Sequence, residues 1–205
     1  MLHTQTVDPL TLGLLKRLMA DEALQQFTLV GGTALALQIG HRKSVDLDMF
    51  SHEDFRSEDI LQHLLEEGYA ANVRFSQRQT LIVEIEGIKI DFIRFRYPFA
   101  EQIIVNEGIR LASILDIACM KLDAITGRGR KKDFCDLYYL LQYFSLSNMM
   151  EAYSKMFSHS TLFHVYKSLT WFEDADLDAD PEVSDNEFNW EKAQKAIIAA
   201  VEKSI

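Results

Sequence analysis

Cysteine, proline and tryptophan are scarce, with two, three and two copies in 205 residues. Cys119 and Cys135 lack the spacing of a metal knuckle or a disulfide framework, so both read as small apolar residues on helices. The six histidines fall in no H-x-E or H-E-x-x-H pattern, and no serine or cysteine sits in a nucleophile elbow. A zinc hydrolase and an acyl-transfer enzyme therefore find no support. No run approaches the ~20 apolar residues that a membrane-spanning helix needs. The opening "MLHTQTVDPL" has neither the basic nor the apolar block of a signal peptide, and the expected location is cytoplasmic, with no membrane partner. Repeats and Pro/Gly/Ser linkers are also missing.

Basic charge is in short supply: 21 Lys and Arg face 31 Asp and Glu, a net charge of -10. That balance argues against a protein that coats nucleic acid nonspecifically. The excess is local, because nine acids and no base lie between Glu173 and Glu191, leaving about -1 for the rest of the chain. A local basic site is therefore compatible with the composition. The acidic stretch itself reads as a solvated loop, with an interaction surface for a basic protein as the competing reading.

Against these absences stands an ordinary core supply, with 48% hydrophobic residues. Leu10, Leu14, Leu15, Leu18 and Met19 recur at helical spacing. Phe27 to Val30 reads as a strand, Thr33 to Ile39 as a helix capped by Gly40, and Val45 to Phe50 as a second strand. A helix is expected over Ser57 to Glu66. Strands follow at Val73 to Ser76, Thr80 to Glu86 and Ile88 to Phe95, with a hairpin turn at Glu86-Gly87. After Pro98 the pattern is helical almost throughout: a helix from Ser113 to Gly127, another through "DFCDLYYLLQYF", and three more near Ser147 to Phe157, Thr161 to Leu169 and Trp190 to Lys203. Tyr138, Tyr139, Tyr143 and Phe144 follow helical periodicity as core residues. The expected class is α+β: an α/β half with a small mixed sheet over residues 1–97 and a helical half over residues 98–205.

The segment "FTLVGGTALALQIGHRKSVDLDMFS" holds the chemistry. In a strand, alternate side chains share a face, so Asp46 and Asp48 are expected on one side and Val45, Leu47 and Met49 on the other. Two carboxylates that close repel unless a cation or shared proton intervenes. Magnesium is the natural choice, since it takes carboxylates and completes its shell with water and phosphate oxygens. Asp91, inside the apolar "IKIDFIRF", is hard to explain as surface decoration and becomes the third site carboxylate. Gly31 and Gly32 sit between a strand and a helix, where backbone N–H groups can face an anion. Thirteen residues separate Gly32 from Asp46, enough for a helix and a return into the neighbouring strand.

These residues carry a resemblance. "LVGGTALALQIGHRKSVDLDMF" resembles the signature of the polymerase-beta-type nucleotidyltransferase superfamily. Its pairing with "DIACMKLDAITGRGRKKDFCDLYYLL", and the later "LTWFEDADLDADP", is similar to the AbiEii/AbiGii toxin family of minimal nucleotidyltransferases, over roughly Leu29 to Pro181. The resemblance implies a nucleotidyltransferase-like N-terminal half. It also implies an NTP whose phosphates meet Gly31 and Gly32, and magnesium on Asp46, Asp48 and Asp91. Thr33, Arg42, Ser44, Lys121, Lys132, Asp133 and Asp136 join the expected nucleotide-binding set, with Lys121 and Lys132 as catalytic cations. It further implies a toxin of a toxin-antitoxin or phage-defence pair, a cognate antitoxin, and an acceptor hydroxyl on RNA, protein or a small molecule.

From the residues alone, Asp133 is also a candidate helix cap, and Asp136 a candidate i+4 partner that orients Lys132. Arg128 and Arg130 read either as solvent-facing or as contacts to an RNA acceptor. The competing function is a catalytically idle nucleotide-binding or regulatory protein of the same fold. Retention of all three candidate carboxylates disfavours it.

Overall fold

After a 3-10 turn at Thr4–Thr6 comes helix α1 (Pro9–Ala20), in a computed structural model that describes residues 1–204. Asp8 caps α1 through the Leu10 amide and Pro9 occupies its first turn, while Leu14, Leu15 and Leu18 are buried beneath it. Strand β1 (Thr28–Val30) runs directly into helix α2 (Gly31–Ile39). The expected start at Thr33 is two residues late, so the glycine pair forms the helix's own first turn. Gly40 ends α2 at φ +73, its N–H bonded to the Ala36 carbonyl.

Strand β2 covers Leu47–Ser51 rather than Val45 to Phe50. Leu47 and Met49 are buried as expected, but Val45 is 62% exposed. The shortening has a visible cause. Ser44 N donates to Thr6 O at 3.0 Å and Lys43 N to Glu182 O at 2.8 Å, while the Thr33 hydroxyl takes the Asp46 carbonyl. The approach to β2 is thus tied to other partners, and Asp46 lies just ahead of the strand.

Helix α3 (Ser57–Glu66) is followed by β3 (Asn72–Gln77), β4 (Thr80–Ile85) and β5 (Ile88–Arg94). Two further strands, β6 (Ile104–Asn106) and β7 (Ile109–Leu111), complete a seven-stranded sheet of order β3-β4-β5-β2-β1-β7-β6. The β2–β5 and β1–β7 pairs are parallel and the other neighbours antiparallel. The β6–β7 hairpin corrects the expectation of helices almost throughout after Pro98. Its strands are too short for a period-two signal to register, although Glu107-Gly108 (φ +51 and +78) repeats the turn chemistry of Glu86-Gly87 (φ +55 and +80). The sheet therefore runs past residue 97 to Leu111.

One sheet face is core: Leu47, Met49, Leu81, Val83, Ile90 and Phe92 are fully buried. Phe27 meets Phe92 and Phe55 edge-on at centroid distances of 5.0 and 5.2 Å. The opposite face turns Asp48, Phe50, Asp91 and Ile93 toward helices α4 (Ile114–Gly127) and α5 (Lys131–Leu140). Ser113 caps α4 through the Asp116 amide. Helices α6 (Leu146–Met156), α7 (Leu162–Leu169), the single turn α8 (Glu173–Asp176) and α9 (Trp190–Ser204) complete the chain. Cys119 and Cys135 are buried, and Tyr139 with them, whereas Tyr143 is 52% exposed, against its core assignment. No described helix is long and apolar enough to cross a membrane.

The acidic stretch is folded back rather than free. Asp178 accepts from Arg130 Nε at 2.7 Å and from the Lys131 amide at 3.0 Å, and Asp180 pairs with Lys131 Nζ at 3.0 Å. Glu182 pairs with Lys43, Val183 bridges Arg42, and Ser184 N donates to His41 O at 2.8 Å. The segment is a strap across the outside of α5 and the loop before β2.

Phe92→Ala is expected to destabilise the fold by about 3–5 kcal/mol in urea unfolding, since it empties the centre of the sheet core. Val105→Ala, at a position 68% exposed, is expected to stay within about 0.5 kcal/mol of the parent.

Candidate active site

Parallel pairing puts Asp48 of β2 directly beside Asp91 of β5, while Val30 of β1 stands opposite Asp48 on the other side. The chain leaves Val30 into Gly31, whose φ of +68 turns the backbone over the Asp48 carboxyl. A Cβ on Gly31 would collide with Asp48 Oδ2, so the residue is glycine for two independent reasons: the left-handed backbone and the touching carboxylate. A Cβ on Gly32 would come within 2.5 Å of Arg42 Nη2. The glycine turn, Asp46, Asp48 and Asp91 all line one cavity of about 400 Å³.

The carboxylates are under electrostatic tension. Burial, and next the neighbouring Asp91, push the Asp48 carboxyl above its ordinary value. Asp91 Oδ2 accepts from Lys89 Nζ at 2.6 Å, but Asp91 Oδ1 is buried with no hydrogen-bond partner. Among the described residues, no three His, Cys, Asp or Glu side chains stand close enough to form a closed ligand set. Magnesium is commonly held by one or two carboxylates, with water and substrate phosphates completing its shell. The bare Asp91 oxygen beside the strained Asp48 carboxyl suits a cation of that kind.

Asp136 on α5 is fully buried and organises the cations behind the glycine turn. Its Oδ1 accepts from Arg42 Nε at 2.6 Å and lies 2.7 Å from His41 Nε2, and its Oδ2 accepts from Arg42 Nη2 at 2.9 Å and pairs with Lys121 Nζ at 2.6 Å. Lys121 also donates to Asp133 Oδ1 at 2.8 Å, and Asp133 Oδ2 takes Arg128 Nε at 2.9 Å. Burial opposes ionisation of Asp136, yet Arg42 and Lys121 hold its carboxyl well below the usual range. Burial likewise opposes the Lys121 charge, which Asp136 and Asp133 more than restore. His41 is the exception: burial lowers its basicity despite the Asp136 contact, and its Nδ1 has no partner.

Several expectations change here. Lys132 is not oriented by Asp136, because Arg42, Lys121 and His41 occupy that carboxylate; instead Lys132 Nζ lies 3.9 Å from Asp46 Oδ2, half exposed at the mouth. Asp133 does not cap α5, whose N-cap position is Arg130. Asp133 and Asp136 stay outside the cavity lining, behind Lys121 and Arg42, which do reach it together with Ser44. Thr33 lies beneath, its hydroxyl 2.8 Å from that of Ser44. Arg128 lines the cavity, whereas Arg130 is spent on Asp178. Sequence reasoning missed the opposite wall: Phe50, Phe95 and Phe157 with Met120 and Asp123, drawn from four separate elements and segments that share no local pattern.

Asp136→Ala is expected to cost about 3–5 kcal/mol in denaturant unfolding, because it leaves Arg42 and Lys121 buried without a counter-charge. Since its carboxyl is depressed in the fold, the contribution of Asp136 is present above the unfolded carboxylate range and is lost only as pH falls through the lower folded value. Asp48 has the opposite sign: a raised folded value means that its ionised form opposes folding as pH rises. Asp48→Asn is therefore expected to raise the Tm of metal-free protein at neutral pH, with the gain vanishing toward the ordinary carboxyl value of 3.8. Thermal melts across pH check both.

An uncharacterized protein of Aquifex aeolicus (strain VF5) is 38% identical over 157 residues, covering 73% of this chain and 75% of that one. A Helicobacter pylori protein provisionally assigned as a nucleotidyltransferase superposes with a TM-score of 0.60 at 18% identity, over 96% of this chain and 95% of its own. JHP933, also from Helicobacter pylori, gives 0.58 at 18% identity, over 97% and 93%. These structural likenesses establish a shared fold. Residues 13–203 match the family described as "Nucleotidyl transferase AbiEii toxin, Type IV TA system". The chain belongs to the AbiEii family of nucleotidyltransferase toxins.

Proposed function

We propose that this toxin-like nucleotidyltransferase is magnesium-dependent and moves a nucleoside monophosphate from an NTP to an acceptor hydroxyl. The observation that carries the reading is the bare Asp91 oxygen beside the tense Asp48 carboxyl, in the cavity that also contains the Gly31-Gly32 turn. Asp46, Asp48 and Asp91 are the residues that would hold the metal. When bound, magnesium supplies Lewis-acid stabilisation of the charge that builds on the attacking and leaving oxygens.

The chain's own residues account for the rest. The first turn of α2 offers backbone N–H groups to the triphosphate at a point where side chains are absent. Lys132, half exposed at the mouth, neutralises charge on the departing pyrophosphate, while Lys121 and Arg42 set a fixed positive background. The acceptor hydroxyl's proton leaves to water at the open mouth of the cavity. The new O–P bond forms at the α phosphorus as the bond to the bridging oxygen breaks and pyrophosphate leaves. In its biological setting the enzyme acts as the toxin-like partner of an antitoxin.

Asp48→Asn is expected to lower transfer from α-labelled NTP by at least about a hundredfold, the scale of losing one preorganised electrostatic contact. Circular dichroism should show the fold intact. Chelation should abolish transfer and added magnesium restore it. Undiminished transfer by the variant would refute the assignment.

A further inference from the structure

The β3 end of the sheet takes no part in the chemistry above. β3 is a terminal strand, and among the described residues no strand pairs with its outer edge. Proline or lysine commonly blunts such an edge. β3 carries neither, and all six of its residues are exposed. A bulge between Val73 and Phe75 interrupts its pairing, but the half next to Arg78 is regular, with Phe75, Ser76 and Gln77 opposite Ile82, Leu81 and Thr80. Ile82 in turn stands beside Asp91, so Phe75 belongs to the cavity face of the sheet, where it is 45% exposed. Ser76 points to the core face, its hydroxyl 3.0 Å from that of Ser57.

Past the core on that second face opens a groove of about 760 Å³ lined by Arg56, Arg78, Arg94 and Arg96. Arg94 follows the buried Phe92 by two positions, which sets the groove on the face opposite Asp48 and Asp91. Four of the ten arginines in the chain and no lysine line it, against two acids, Asp54 and Glu58, although the net charge is -10. Planar guanidinium forks match carboxylates in a way that lysine does not. Asp54 shows the mode: it accepts from Arg94 Nε at 2.8 Å, and the Arg94 and Gln79 hydrogen bonds hold its carboxyl below the ordinary value. Arg94 is thereby occupied, and its Nη1 donates to the Phe95 carbonyl at 2.6 Å. Among the described residues Arg78 and Arg96 form no ion pair, whereas Arg56 has Glu58 and Asp59 at 3.9 Å. Arg78 also holds φ +46 in the β3–β4 turn, where glycine or asparagine would be less strained.

We propose that the β3 edge and the arginine groove together dock an extended acidic segment of a partner protein, added to the sheet as a further strand. Its alternate side chains fall on the two faces, apolar ones over Phe75 and carboxylates toward Arg78 and Arg96. Main-chain pairing along the free edge supplies affinity, and the contrast between the two faces supplies specificity. An inorganic phosphate makes no use of a strand edge, and a nucleic acid brings no peptide ladder to pair with it. A second copy of this chain is a poor occupant, because its own terminal strands, β3 and β6, carry no carboxylate. The inference is independent of the transfer reading, since the groove faces away from Asp48 and Asp91.

The test is fluorescence anisotropy of the full chain with a labelled synthetic peptide of alternating valine and glutamate, and with a peptide of the same composition arranged in two blocks. The alternating peptide is expected to bind about fivefold or more tightly than the block peptide. Arg78→Gln/Arg96→Gln is expected to weaken its binding about tenfold at low salt, the scale of two ion pairs, with the loss shrinking as salt rises. Phe75→Ser is expected to weaken it about threefold at every salt concentration. Hydrogen exchange across Phe75–Gln77 should slow when the peptide is added. Thermal melts of both variants should match the parent. Asp48→Asn should bind the peptide as the parent does, and the arginine variant should keep parental NTP transfer, so failure of the transfer reading and failure of the docking surface are distinguishable. Equal binding of the two peptides, unchanged exchange in β3 or parental affinity in the arginine variant would overturn the proposal. So would equal displacement by inorganic tripolyphosphate or a single-stranded oligoribonucleotide, or a dimer that protects β3 without peptide.

Discussion

A single buried carboxylate, Asp136, holds Arg42, Lys121 and His41 at once, and the geometry of the candidate site depends on it. Arg42 and His41 come from the loop between α2 and β2, Lys121 from α4 and Asp136 itself from α5. The contact therefore pins the helical wall of the cavity to the sheet that carries the aspartates. In a buried setting, removal of one member strands the others, which makes the arrangement all-or-none rather than graded. It also explains how two cations can sit next to a glycine turn without collapsing onto Asp46 or Asp48: their directional bonds are already satisfied behind the site, while their charge still reaches into it.

The sheet face opposite the core works by the contrary principle. Asp48 and Asp91 are set side by side by parallel register, with one oxygen left without a partner and a proton held more tightly than usual on Asp48. A protein optimised for stability alone would place alanine or asparagine here. The apolar residues on the other face, Leu47, Met49, Ile90 and Phe92, anchor the strands firmly enough to tolerate the repulsion. Gly31 completes the arrangement, since any side chain there would displace the carboxylate it touches.

The acidic strap shows charge used for assembly. Asp178, Asp180 and Glu182 take up Arg130, Lys131 and Lys43, cations that flank the site on its outer side. Lys132 and Arg128 remain oriented toward the cavity. Neutralising the outer cations concentrates the positive field on the side where a triphosphate would enter. The large net negative charge is thus a poor guide to the local surface, because its main contributor is partly spent within the fold.

The local signals were strong where one short segment carried the whole pattern. The D-x-D pair, Gly31-Gly32, the Gly40 cap, the Ser113 cap and the Glu86-Gly87 hairpin all rest on backbone preferences and alternation within a few residues, so the sequence by itself determined the α+β class, the strand that carries Asp48 and the identity of Asp91 as an outlier in an apolar run. The β6–β7 hairpin, the loop position of Asp46, the partner exchange of Asp136 away from Lys132 and the aromatic wall were decided only by tertiary structure. Each depends on groups distant in the chain competing for the same backbone carbonyl, carboxylate or patch of apolar surface, and the winner of that competition is set by packing rather than by neighbours in sequence.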